Sequence, residues 1–204
     1  MHARAALAVA AIIVSAQAFA QGRPKTDPDW PCHQVKTPTL SLASVWAGPD
    51  IDLKSEAWRD DPAMAELVAK MTERRLPIED VERAISEFKA KQGAAANAKL
   101  LQAFGAAFDE LTQQRSQILA GLDRFGRKQR ELADRIRGEN QVALNAEDAN
   151  KTTDGQGDEA ARQRLEWDLR VFDDRRRTIS YVCESPLLIE QRIGAIARAV
   201  QQTL

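Results

Sequence analysis

Residues 101–136, LQAFGAAFDELTQQRSQILAGLDRFGRKQRELADRI, decide how the rest of the chain is read. Leu101, Phe104, Phe108, Leu111, Arg115, Ile118, Leu122, Phe125, Gln129, Leu132 and Ile136 follow one another in steps of three and four. Nine of the eleven positions are apolar, with Arg115 and Gln129 the departures. A 3.5-residue period held over five heptads marks a long helix with a coiled-coil-like seam, because a straight 3.6-residue helix would carry its apolar stripe off line. The pattern predicts one helix from about residue 97 to 147.

Its partner lies downstream. Leu165, Leu169, Phe172, Arg176, Ile179 and Cys183 repeat the spacing and predict a returning helix over 158–183. Ser185-Pro186 has the form of an N-cap followed by proline, so a separate last helix is expected over 187–203, with Leu187, Ile189, Ile193, Ile196, Val200 and Leu204 inward. Upstream, Asp61-Pro62 opens a helix over 61–75 through Met64, Leu67, Val68 and Met71. Pro77 opens another over 77–92, through Val81, Ile85 and Phe88. The long helix is about twice the length of its return helix, so its first half needs the shorter helices as partners. The expected fold is all-α: a body of short helices (60–204) from which the long helix runs into an antiparallel two-helix arm, about 124–183.

Ahead of the body, residues 21–59 are rich in Pro, Thr, Ser and Asp and hold no period. They read as an extended segment with one turn at Leu42–Trp46, capped by Ser41 and stopped by Gly48-Pro49. Trp30, Trp46 and Trp58 are its natural packing wedges. Residues 1–20 have the form of an export signal, with Arg4, an apolar run Ala5 to Val14, and Ala18-Phe19-Ala20 as a small-x-small cleavage site. A periplasmic or secreted location after cleavage near Ala20 is expected. No membrane span is expected in the mature chain, since the apolar run covers only about ten residues where a span needs about 20.

Charge and residue supply exclude several classes. The chain has 29 basic and 30 acidic residues, and without Arg4 the balance is 28 against 30, so no global field draws it to nucleic acid. With one histidine beyond the signal, His33, multi-histidine zinc sites and serine-type triads lack their parts. Cys32-His33 is not a haem attachment motif, since residue 29 is Asp. Neighbours in an extended segment also point to opposite sides, which is the wrong geometry for a thiol and its base. In an exported chain with two cysteines, the expectation is a Cys32–Cys183 disulfide. No catalytic residues and no cofactor are expected.

Two surface candidates remain. Asn150, Thr152, Asp154, Gly155 and Asp158 resemble the first nine positions of a calcium loop, but Ala161 stands where the bidentate Glu belongs. The plainer expectation is a polar turn with Asp158 capping the return helix. The outgoing arm carries seven basic residues from Arg115 to Arg137 against Asp123, Glu131 and Asp134. Arg124, Arg127, Lys128 and Arg135 are the candidates for meeting an anionic partner, and pairing with Glu166, Asp168, Asp173 and Asp174 of the return helix is the competing expectation.

These readings point to an exported, non-catalytic helical interaction protein, chaperone-like or an assembly accessory by analogy of architecture alone. Its expected partner is another envelope protein or a second copy, met through the arm. A metal- or small-ligand module at residues 150–158 is the alternative. A carboxylate-dependent envelope enzyme comes third.

Overall fold

The computed structural model describes residues 27–149 and 156–204, with the side chains of 146–149 and 156–158 excepted. Four α-helices follow a 27–61 segment that holds two single 3-10 turns. The expected export signal, residues 1–20, lies outside the described residues.

Helix α1, Pro62–Thr72, begins as the Asp-Pro pair requires. The Asp61 carboxylate accepts from the N–H groups of Ala63 (2.9 Å) and Met64 (3.2 Å), two donors without intrahelical partners. Lys99 reaches the same carboxylate at 2.7 Å. The helix ends at Thr72, three residues short of the expected 75. There Arg192 donates to the carbonyls of Lys70 (3.1 Å), Met71 (2.7 Å) and Leu76 (2.9 Å), which closes the helix end from another element. Burial, only partly offset by Glu73, pulls the Arg192 guanidinium below its usual range. Helix α2, Ile78–Gln92, follows Pro77, with Glu79 and Asp80 in its first turn and Lys89 and Lys91 in its last, as the helix dipole favours. It stops at Gly93, whose φ of 56° only glycine adopts freely.

Helix α3, Ala96–Ala149, is about 81 Å long, and α4, Gln156–Thr203, about 72 Å, at 1.5 Å per residue. The two run antiparallel. The first half of α3 and the second half of α4 pack with α1 and α2 into the body. Its core is Met71, Val81, Ile85, Leu100, Phe104, Leu111, Ile193, Ile196 and Val200, each at most 1% exposed. Lys89 and Asn97 donate to the last carbonyls of the chain, tying the end of α4 to α2 and α3.

Helix α4 differs from the expected break at Ser185-Pro186: it continues through the proline. Cys183, Pro186, Ile189, Ile193, Ile196 and Val200 are all buried, so the inward stripe crosses Pro186 without losing phase. Tertiary burial on both sides outweighs the missing N–H. In consequence Pro186 takes the inward place expected for Leu187, which is half exposed. In the arm, Leu169 is likewise turned outward and Asp168 sits nearer the seam.

The N-terminal segment lies along α3 as a strap, running opposite to it. Asp29 sits at Gly126, Lys36 at Asp123, Thr37 and Pro38 at Arg115, and Trp46 at Phe104. Ile51 then meets Gly105. A β-carbon on Gly126 would come within 1.7 Å of the Asp29 carbonyl oxygen, so the strap needs that notch. Trp46 is buried against Phe104, ring centroids 4.7 Å apart, and donates to the Pro49 carbonyl at 2.8 Å. Cys32 and Cys183 are bonded, with α-carbons 5.6 Å apart.

Candidate functional site

Arg115 is an expected seam departure with a structural answer. It is 2% exposed, and its guanidinium donates to Glu190 of α4 (2.6 Å) and to the carbonyls of Thr37 (2.6 Å) and Pro38 (3.4 Å) of the strap. Three chain segments meet on one cation. It therefore leaves the exposed basic strip and becomes part of the body's framework.

Beside it, Lys36 lies between Asp123 (2.7 and 2.9 Å) and Asp27 (2.8 Å). Its hydrogen bonds to Asp123, then to Asp27, hold its ammonium above the usual lysine range. Leu119, Leu122 and Cys183 form a small second core there, flanked by Trp30, Ile118 and Ile179. Trp30 donates to the Gln34 carbonyl at 2.7 Å, and Lys36 lies 5.6 Å from its ring centroid. His33 is exposed, and with the Cys32 sulfur bonded there is no thiolate beside it.

The arm extends outward from this clamp. Gln129 donates to the Phe172 carbonyl (3.0 Å), and Arg135 pairs with Asp168 (2.5 Å). Beyond Leu132 no described side chain of either arm helix is buried, because two helices alone cannot enclose a core. Val142, Leu144, Trp167 and Leu169 stand between 46% and 63% exposed. A groove of about 530 Å³ runs along this part, floored by Gly138, Val142 and Ala161 and edged by Arg135, Glu139 and Arg164.

The four candidate cations divide. Arg127 lies 3.9 Å from Asp29 of the strap, and Arg130 pairs with the same carboxylate. Arg135 is held by Asp168, as the competing expectation has it. Arg124 and Lys128 are exposed with no ion pair among the described residues. The strap, which has no periodic signal, is the partner that the helix-against-helix reading leaves out.

Asn150, Thr152 and Asp154 lie outside the described residues. Asp158 falls in the first turn of α4, whose side chains there are not described, and nearby Glu159 accepts from Gln163 at 2.9 Å. Among the described residues no three His, Cys, Asp or Glu side chains gather as a metal site, and no helix is long and apolar enough to cross a membrane.

A second groove, about 700 Å³, lies where the α1–α2 turn meets α4, between Arg74, Arg75 and Ile78 on one side and Leu188, Gln191 and Ala195 on the other. Seam periodicity leaves Trp167, Tyr181 and Leu188 without a role, although their mutual heptad spacing is visible in the sequence. Comparison of the chain with protein-family models, curated proteins and solved structures finds no match.

Proposed function

We propose that this chain is an exported, non-catalytic interaction protein of the cell envelope that acts through its arm, as a chaperone-like or assembly factor. The supporting observation is the arm's outer half, where Val142, Leu144, Trp167 and Leu169 are 46% to 63% exposed beside a groove lined by arginine and small residues. Large apolar side chains held in water on a pair of helices are the usual chemistry of a surface that takes a partner. The strap, the disulfide and the Arg115 centre hold the arm's base, so its outer half is presented at a set distance from the body. An export signal at residues 1–20 supports the periplasmic or secreted setting.

Deleting residues 140–157 and rejoining the helices with a short turn tests the reading. The expected outcome is intact helicity per residue and loss of the partner recovered with the full chain. Undiminished recovery by the shortened arm contradicts it.

A further inference from the structure

The groove of about 700 Å³ between the α1–α2 turn and α4 belongs to the body, and its charges do not balance. Arg74, Arg75 and Arg192 line it, against the single carboxylate of Glu73. That carboxylate is already engaged, accepting from the Arg75 backbone N–H at 3.2 Å. The side chains of Arg74 and Arg75 are exposed and in no ion pair among the described residues.

Arg192 is the fixed member of the three. Its Nε, Nη1 and Nη2 each donate to one carbonyl, those of Met71, Leu76 and Lys70. A guanidinium has five N–H groups, so two are not taken up by these carbonyls. Carbonyl oxygens satisfy hydrogen bonds without neutralising charge, and no carboxylate pairs with Arg192 among the described residues. A partly buried cation, locked in place and without a counter-charge, favours an anion beside it. Ser185 and Gln191 of α4 add polar side chains with no hydrogen-bond partner among the described residues, and Ile78 and Leu188 give the groove an apolar side.

From this arrangement we infer that the groove binds an organic anion, a phosphate monoester whose apolar substituent lies against Ile78 and Leu188. The charge count selects the monoester. Three cations against one carboxylate leave two positive charges, which a dianion neutralises and a carboxylate or phosphodiester only halves. The planar fork of arginine matches phosphate oxygens in pairs, which a lysine cluster would not do. The volume lies within the range of small-molecule sites, about 300–1,000 Å³, and far exceeds what bare phosphate fills, so the ester carries a substituent. Two sources present this chemistry: a soluble phosphate ester and the headgroup of phosphatidic acid in a bilayer.

Isothermal titration of the chain with phenyl phosphate at low salt is the first arm of the test, and a dissociation constant below about 1 mM is expected. Inorganic phosphate, which lacks the apolar part, should bind about tenfold more weakly or worse. Arg74→Gln with Arg75→Gln should weaken phenyl phosphate about tenfold or more with helicity unchanged, as both side chains are exposed. Arg124→Gln, which removes an exposed cation of the arm, should leave binding as it is. A phosphate monoester takes up its second proton near pH 6, so affinity should fall between about pH 7.5 and 5. Flotation with phosphatidylcholine vesicles containing phosphatidic acid, lost in the Arg74/Arg75 double variant, assigns the site to the lipid. Binding of phenyl phosphate without flotation assigns it to a soluble ester. Neither binding nor flotation, binding indifferent to Arg74 and Arg75, or an affinity flat with pH overturns the inference. Every readout is on the body, so the proposed role of the arm stands or falls separately on its own deletion.

Discussion

Arg115 shows how a residue that interrupts a pattern can organise a structure. A cation nearly out of water is stabilised only while Glu190 and two strap carbonyls face it. Glu190→Ala removes its only carboxylate partner among the described residues and is expected to cost about 3–5 kcal/mol, the range for an orphaned buried charge. Chemical denaturation measures this, and a loss below about 1 kcal/mol contradicts the account. Gly126→Val should displace the strap, because Asp29 occupies the space that the side chain needs. Faster amide exchange over residues 27–38, with α3 itself protected, is the expected sign. The Asp61 carboxyl is held below the usual carboxylate range, first by the Lys99 ammonium and then by the Met64 N–H. A lowered value in the fold means that this contribution is present above the unfolded pKa and is lost as pH falls through the folded one. Stability should therefore drop below about pH 4 in the wild type. Asp61→Asn should be less stable at neutral pH, and the gap should close in acid.

At the scale of the element, α4 carries the clearest contrast between local rule and tertiary outcome. Ser185-Pro186 has the local form of a helix start, yet the buried series Cys183, Pro186, Ile189, Ile193 keeps one helix running. Ser185→Ala separates the two. In a continuous helix alanine is the better former, so stability should hold or rise by up to about 0.5 kcal/mol. An N-cap at Ser185 would instead make the change cost about 1 kcal/mol. The long seam of α3 was readable because Leu, Phe and Ile recur through five heptads, and the start of α1 because Asp61-Pro62 states it locally. Asp168 in place of Leu169 near the seam was not readable, since Arg135 selects it from across the hairpin. The strap's course was hidden for the same reason: Gly126, Gly105 and Arg115 receive it, and none announces its partner in the sequence.

At the scale of the whole molecule, a four-helix body and a two-helix arm are joined by a clamp made of the strap, the disulfide and the second small core. The disulfide closes a sequence separation of 151 residues, worth up to about 5 kcal/mol on the chain-entropy model. Cys32→Ala with Cys183→Ala should lower the unfolding midpoint and loosen the strap while the body core keeps its protection. The pairing was readable from residue supply and the expected compartment, whereas the place of the proposed interaction surface was only partly so. Basic residues on α3 drew attention, and the structure commits Arg115, Arg127 and Arg135 to internal partners. The exposed apolar residues lie on faces that seam periodicity ignores.

Site-specific photo-cross-linking in cells making the full chain tests the proposed role of the arm as the binding element most directly. With a benzophenone amino acid in place of Val142 or Trp167, the account predicts discrete adducts to protein, absent when the same probe replaces exposed Glu82 of α2. Equal labelling from Glu82, or no adduct from either arm position, would contradict it.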